Sequence, residues 1–405
     1  MLATLKSYPS PLNVLLSASL VLTLARAVTL PYLVIYLSGH FGLNVADIGL
    51  VIGSTLIIGS LLSLYGGFLV DRISNYRLIL GFCGVFTTGF LVAYLATDIG
   101  LFYLSLVSIN LAYAVIDIAV KAGVGTLLPV DRRSEVFSIK YTLTNIGYAV
   151  GPFLGAGLGT LDISLPFLMS AGLGAGFWCV YAVWGDRCLA RLDTHQPPTP
   201  FLAVGKHLLR DYRLVCFTLG GLLSAVVFGQ FSAYLSQYLV VTTTPEATYR
   251  IISTLVATNA LMVISLQYAI GKRISHEHLN LWLAGGLSLF IIGLAGFALS
   301  TTIVFWVIAM VIFTLGEIIV FPAEYMFIDK IAPPHLRGMY YGAQNLANVG
   351  AALGPVLCGL VLATQPAHCI FYLLALFIIA GGMLYWLGVS IPGENNTLSM
   401  RVGPD

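Results

Sequence analysis

The sequence predicts an all-α integral membrane protein of twelve transmembrane helices in two pseudo-symmetric six-helix bundles. Three observations carry this. The 405 residues are 58% hydrophobic and 9% charged, where soluble domains are about 25% charged. Apolar runs long enough to cross a bilayer, about 20 residues, follow one another along the chain. A glycine-proline signature also recurs half a chain apart. Asn145, Gly147, Gly151 and Pro152 in NIGYAVGPFLGAGLG return as Asn348, Gly350, Gly354 and Pro355 in NVGAALGPVLCG, each 203 residues later. A repeat of that length carries the first run onto the seventh and the fifth onto the eleventh, which is how two homologous halves read in a sequence.

Turn residues and charges punctuate the runs at 12–37, 45–69, 77–96, 100–128, 136–160, 163–185, 213–241, 247–270, 279–299, 302–327, 338–364 and 367–390. The first is too long for a signal core and carries Arg26, so it reads as a span and not as a cleavable leader. The fifth holds the glycine stripe. Each glycine costs a soluble helix about 1 kcal/mol. In a membrane, small residues let a neighbouring backbone approach, and proline is tolerated where neighbours satisfy the freed carbonyl. The polar stretch 186–212, with Arg187, Arg191, Lys206, Arg210 and a Gln-Pro-Pro-Thr-Pro segment, separates six runs from six. The predicted organisation is a bundle over 1–185, a linker over 186–212, a bundle over 213–390 and a tail over 391–405.

Cationic residues set the expected orientation. Lys6, Arg72, Arg77, Arg132, Arg133, Arg187, Arg191, Lys206, Arg210, Arg213, Lys272, Arg273, Lys330, Arg337 and Arg401 fall on one side, with Lys140 near it; Arg250 stands alone on the other. The positive-inside rule then places both termini and the linker in the cytoplasm. The six cysteines show no ligand spacing and read as reduced, mostly buried thiols, so no metal is expected. A net charge of +2 gives no sign of nucleic-acid binding. No nucleophile-base-oxyanion set or phosphate loop appears, so an enzyme is not expected. The expected partners are the lipid bilayer and a small-molecule substrate, the chain acting as a monomer without cofactor.

Two motifs resemble a known family. Gly67-Phe-Leu-Val-Asp71-Arg72-Ile-Ser-Asn-Tyr-Arg77 is similar to the Gly-x-Leu-Ala-Asp-Arg-x-Gly-Arg-Arg loop of the major facilitator superfamily, and Gly147-x-x-x-Gly151-Pro152-x-x-Gly155 resembles its antiporter motif. The stretches FSIKYTLTNIGYAVGP and GEIIVFPAEYMFIDKIAPP resemble YdeE-type bacterial proteins among the twelve-helix drug-proton antiporters. The resemblance implies the major facilitator fold in a bacterial inner membrane. It also implies export of small amphipathic compounds, drugs or short peptides, by alternating access driven by the proton gradient. In the loop motif, Asp71 can meet Arg72, Arg77 or a helix dipole of the other half in one gate state only; the plainer reading is a solvated loop charge. Ser74 stands where the family has Gly, and Asn75 and Tyr76 replace cationic positions. The matching loop of the second half, Gly271-Lys272-Arg273-Ile-Ser275, has no Asp, so the first half is expected to carry the gate. The family's Arg-x-x-Gln-Gly in the fourth run reads Asn110-Leu-Ala-Tyr113-Ala114 here, which removes that Arg as a proton carrier.

Other charges must then be considered. Arg26, Asp117, Lys121, Glu317 and Glu324 lie inside apolar runs. A charge at mid-bilayer costs about 2.5–3.5 kcal/mol on insertion scales unless it faces a partner or the bundle interior. Asp117 and Lys121 share a helix face at i, i+4 and can pair. Glu317 and Glu324 share one at i, i+7, with Pro322 between them. The 203-residue offset makes Lys121 and Glu324 pseudo-symmetric; a cation on one wall of a cavity and an anion on the other suit a zwitterionic or polar substrate, or a switchable pair across the halves. Glu317, without a cation at i±4, is the first candidate to carry a proton; Asp117 is the second, and Glu324 is also a candidate. The structural alternative is a permanent Asp117–Lys121 pair with Glu324 near the cytoplasmic surface. Arg26 has no anion within a turn and must find one on another helix or on substrate.

Polar stripes mark the expected cavity. Gln230, Phe231, Tyr234 and Gln237 lie on the seventh run, Tyr141 and Asn145 on the fifth, and Asn345 and Asn348 on the eleventh. Amides and phenols beside aromatic faces suit mixed apolar-polar ligands; the alternative is interhelical hydrogen bonding, about 0.6 kcal/mol each. The leading expectation is a proton-coupled exporter. The second is a symporter or uniporter importing a sugar, peptide or siderophore, and the third is a non-transporting receptor in which the buried charges would be dispensable.

Overall fold

The computed structural model describes residues 8–185 and 200–391. Expectations for Lys6, Arg187, Cys188, Arg191, Arg401, most of the linker and the tail lie outside the described residues. Within them the chain is helical: α1 (Ser10–Phe41), α2 (Val45–Val70), α3 (Asn75–Leu95), α4 (Ile99–Leu127), α5 (Val130–Gly159), α6 (Leu165–Trp184), α7 (Phe201–Arg210), α8 (Tyr212–Phe228), α9 (Phe231–Thr242), α10 (Pro245–Gly271), α11 (Leu279–Leu299), α12 (Ile303–Ile331), a 3-10 turn (Pro334–Leu336), α13 (Arg337–Gln344), α14 (Ala347–Thr364) and α15 (Cys369–Ser390). Ten candidate spans are long and apolar enough to cross a membrane, and the pair α7 and α8, bent by 84°, gives an eleventh by the same measure. Helix α5 has the length, 30 residues, but its first turns carry Asp131, Arg132, Arg133, Glu135 and Lys140.

Every expected run lies on helix, yet two of them are not single helices. The run 213–241 is interrupted at Gly229 and Gln230, where Gln230 leaves helical geometry with φ −141° and ψ 45°. The run 338–364 is split between α13 and α14 at Asn345 and Leu346. Polar backbone breaks of this kind are tolerated at membrane depth only where protein or a cavity meets the freed groups. The linker also holds more order than its polarity suggests: 201–210 is an amphipathic helix that buries Val204 and Leu208. Its Phe201 ring meets Tyr65 and Phe68 of α2 at 5.3 and 5.4 Å.

The packing repeats in the two halves. Helix α1 packs on α5 and α6, α3 on α4 and α6, and α2 on α4. Later in the chain, α8 packs on α14 and α15, α11 on α12 and α15, and α10 on α12. Glycines make the closest of these contacts. A Cβ on Gly147 would stand 2.9 Å from the Leu24 nitrogen, one on Gly151 2.9 Å from the Val28 nitrogen, and one on Gly155 would overlap the Val28 carbonyl oxygen. In the second half, Gly350 and Gly354 meet the carbonyl oxygens of Leu222 and Val226 of α8 in the same way. The repeat seen in the sequence is therefore a device for laying α5 on α1 and α14 on α8, backbone against backbone. Across the halves, α2 meets α13 and α14, α5 meets α10 and α12, and α4 meets α13.

Candidate functional site

Glu317 lies midway along α12 and is 7% exposed. Its carboxylate accepts the Tyr141 hydroxyl of α5 at 2.6 Å and the Asn259 amide of α10 at 2.6 Å. Asn259 also donates to Thr314 at 3.1 Å, and the Tyr141 ring stacks on Phe321 at 4.6 Å. Among the described residues no cation lies within 4.0 Å of Glu317. A buried carboxylate held only by neutral donors, one of them from the opposite half, is the first element of the site.

Arg26 lies midway along α1 and is partly exposed. It donates to the Asn110 amide oxygen of α4 at 3.0 Å, and its guanidinium lies 4.9 Å from the centre of the Tyr113 ring. The Tyr113 hydroxyl is held by Thr23 at 2.8 Å.

One turn nearer the cation-rich end, Asp117 accepts Lys121 at 2.8 Å and Lys140 of α5 at 2.5 Å. Two lysines thus stand against one carboxylate. Both lie over one aromatic face: Lys121 is 4.5 Å from the centre of the Tyr325 ring and Lys140 is 5.4 Å from it. Lys121 also donates to Asn345 Oδ1 at 3.4 Å, and the Asn345 carbonyl accepts Ser60 of α2 at 2.6 Å. Lys121 and Glu324 do not pair with each other in this structure. Lys121 has Asp117 on its own helix face, while Glu324 accepts the Tyr385 hydroxyl of α15. Lys140, read from the sequence only as an orienting charge, is one of the two cations on Asp117.

Beyond this floor the halves are joined at the cation-rich end. Asp71, just past α2, accepts the backbone N–H groups of Gly338 and Met339 at 2.6 and 2.8 Å, at the start of α13. Burial pushes its carboxyl up to about 7, against the pull of those two bonds and of Arg72 and Arg337. Gly67 and Gly338 meet with no room for a Cβ on either. Arg72 lies over the Phe68 ring at 4.4 Å, and Arg77 is exposed. Asp329 of α12 accepts Arg133 of α5 at 2.5 Å and faces Arg337 at 3.5 Å, while Arg337 donates to the Gly125 carbonyl at 2.6 Å. Glu135 of α5 accepts both Tyr8 and Tyr268 at 2.7 Å, and Ser134 donates to the Gly271 carbonyl at 3.2 Å. The Gly271 corner has no Asp, yet it is joined to α5 through these serine, tyrosine and glutamate contacts.

The expected lining residues divide. Asn145 is partly exposed and donates to the Tyr141 carbonyl at 3.0 Å. Gln230 and Asn348 are exposed, Phe231 and Gln237 partly so. Tyr234 is fully buried, and its hydroxyl has no hydrogen-bond partner among the described residues. Gln230 caps α9, its carbonyl accepting the Ala233 and Tyr234 N–H groups at 3.0 and 3.4 Å. Asn259, Glu135 and Asp329 carry contacts that sequence spacing did not single out. For Asp329 a signal existed: a carboxylate at the very end of a 29-residue apolar helix.

Known proteins extend this picture. The family model of the Major Facilitator Superfamily matches residues 15–348. The chain is 36% identical over 378 residues to the MFS-type transporter YdeE of Escherichia coli K12, covering 93% of this chain and 95% of that one. It is 25% identical over 402 residues to the Na(+), Li(+), K(+)/H(+) antiporter of Planococcus maritimus, covering 88% and 91%. Among solved structures, the transporter FucP in the outward conformation superposes with a TM-score of 0.73 at 14% identity, covering 93% of this chain and 98% of that one. The chain belongs to the Major Facilitator Superfamily.

Proposed function

We propose that this transporter is a proton-coupled antiporter that exports small amphipathic compounds, drugs or short peptides, by alternating access. The observation that carries the proposal is Glu317, a mid-membrane carboxylate bound by Tyr141 from the other half and by Asn259, with no cation beside it. An ionised carboxylate accepts on both oxygens. Once protonated, one oxygen becomes a donor, and the set of partners it can hold changes. Loading a proton therefore alters a bond that spans the two halves, which is what coupling requires. The antiporter-type glycine motif and the likeness to a cation/proton antiporter support the exchange direction. With the cation-rich end taken as cytoplasmic, the joined halves correspond to a state open to the outside of a bacterial inner membrane. Asp117 is a secondary candidate for the proton, because two lysines already stand against it, and Glu324 is another, bound by the Tyr385 hydroxyl of its own half.

The test uses purified protein in liposomes with an internal pH dye and a panel of dipeptides, sugars and cationic drugs. Proton movement opposite to substrate, lost in Glu317→Gln while folding is retained, is the expected result. Movement in the same direction would replace antiport with symport. Unchanged coupling in Glu317→Gln would remove that residue from the mechanism.

A further inference from the structure

We propose that Arg26, set by Asn110 and Tyr113, anchors a carboxylate group on the transported molecule. The inference rests on the reading of the space between the halves as the substrate path. Asn110, Tyr113, Asp117 and Lys121 follow one another at helical spacing along one stripe of α4. At its lower end the stripe is sealed by the second half: Lys121 meets Asn345 of the second half and the Tyr325 ring. At its upper end, beside Arg26, the polar partners are Asn110 and the Tyr113 ring, both on the same half.

Charge accounting singles out Arg26. The mid-membrane cations are Arg26, Lys121 and Lys140, and the carboxylates are Asp117, Glu317 and Glu324. Asp117 takes both lysines. Glu317 is bound by neutral side chains of both halves, Tyr141 and Asn259, and Glu324 by the neutral Tyr385. No carboxylate lies within 4.0 Å of Arg26 among the described residues. An amide oxygen orients a guanidinium but does not neutralise it, and four of its five N–H donors stay available after one bond to Asn110. Tyr113 backs the guanidinium plane, and Thr23 fixes Tyr113. What remains is a flat, oriented, partly exposed fork of donors in a low-dielectric setting. A carboxylate fits that fork with two parallel hydrogen bonds, whereas a neutral amide of the same shape supplies a single acceptor oxygen and no charge.

The experiment is equilibrium binding to the purified full-length protein, without a gradient. The ligands are benzoate, 1-naphthoate and octanoate, each against its own primary amide. The expected result is binding of at least one carboxylate at least tenfold tighter than its amide, with that preference lost in Arg26→Gln and partly kept in Arg26→Lys. Should Arg26→Gln fail to fold, Asn110→Leu keeps the charge and removes its orienting bond, and is expected to weaken carboxylate binding severalfold. Equal binding of acid and amide, an unaltered preference in the variants, or no carboxylate binding across the panel would overturn the proposal. Proton exchange without a carboxylate preference defeats this inference alone. Carboxylate binding without proton movement leaves it standing and defeats the coupling.

Discussion

Asp117 holds two lysines that would otherwise repel each other inside the membrane. Breaking a buried ion pair by removing one partner costs about 3–5 kcal/mol, because a charge is left uncompensated. In Asp117→Asn two buried ammonium groups lose their counter-charge at once. The expected outcome is a clear drop in the thermal unfolding midpoint in detergent, and adding Lys140→Met to that variant should recover part of it. If Asp117→Asn alone melts like the unmodified protein, the cluster is not structural. Lys121 was legible from i, i+4 spacing, but Lys140 was not. Its partner lies on another helix, and spacing along one chain carries no information about contacts between helices.

At the scale of the helix, the glycine stripe separates residues that look alike in sequence. Gly155 faces the α1 backbone, whereas a Cβ at Gly157 would meet nothing within 4 Å. Gly155→Leu should therefore force α5 from α1, at a cost of about 1–3 kcal/mol or more. Gly157→Leu should stay within about 0.5 kcal/mol, as surface changes do. Comparing the folded yield and melting of the two variants checks this, and equal behaviour would refute the packing role of the stripe. The sequence showed which helices carry glycines at helical spacing; the breaks at Gln230 and Asn345 escaped it. Both sites lie inside runs long enough to span a membrane, and local propensity alone does not stop a membrane helix there.

On the scale of the whole molecule, closure at the cation-rich end depends on contacts between distant parts of the chain. Gly67→Ala should disfavour closure, since an added Cβ would overlap the Gly338 carbonyl oxygen. Cysteine accessibility on the two membrane faces would measure the shift, and an unchanged pattern would mean that the contact tolerates the methyl group. Asp71 adds a pH dependence. Its closed-state value, raised by burial to about 7, lies above the ordinary value of 3.8 expected once the gate opens to water. Between those values the closed form holds a proton that the open form lacks. The contribution of Asp71 to closure is therefore full below about pH 4, falls as pH rises towards about 7, and is level above that. Asp71→Asn should flatten this part of the profile; a profile that keeps its slope in the variant would assign the dependence to another group.

The amino-acid sequence by itself determined the class of protein, the helical runs and the internal repeat, because these follow from composition and local periodicity. It also identified Glu317 and Arg26 as anomalies, since a mid-membrane charge without a neighbour of opposite sign is visible in one dimension. The tertiary structure alone decided which charges meet. Lys140 joins Asp117, Arg133 and Arg337 converge on Asp329, Tyr141 reaches Glu317 across the halves, and Lys121 and Glu324 stay unpaired with each other. The reason is physical. Electrostatic and hydrogen-bond partners inside a membrane are chosen by distance and desolvation in three dimensions, and they come from other helices, as near in sequence as Lys140 is to Asp117 and as far as Tyr141 is from Glu317.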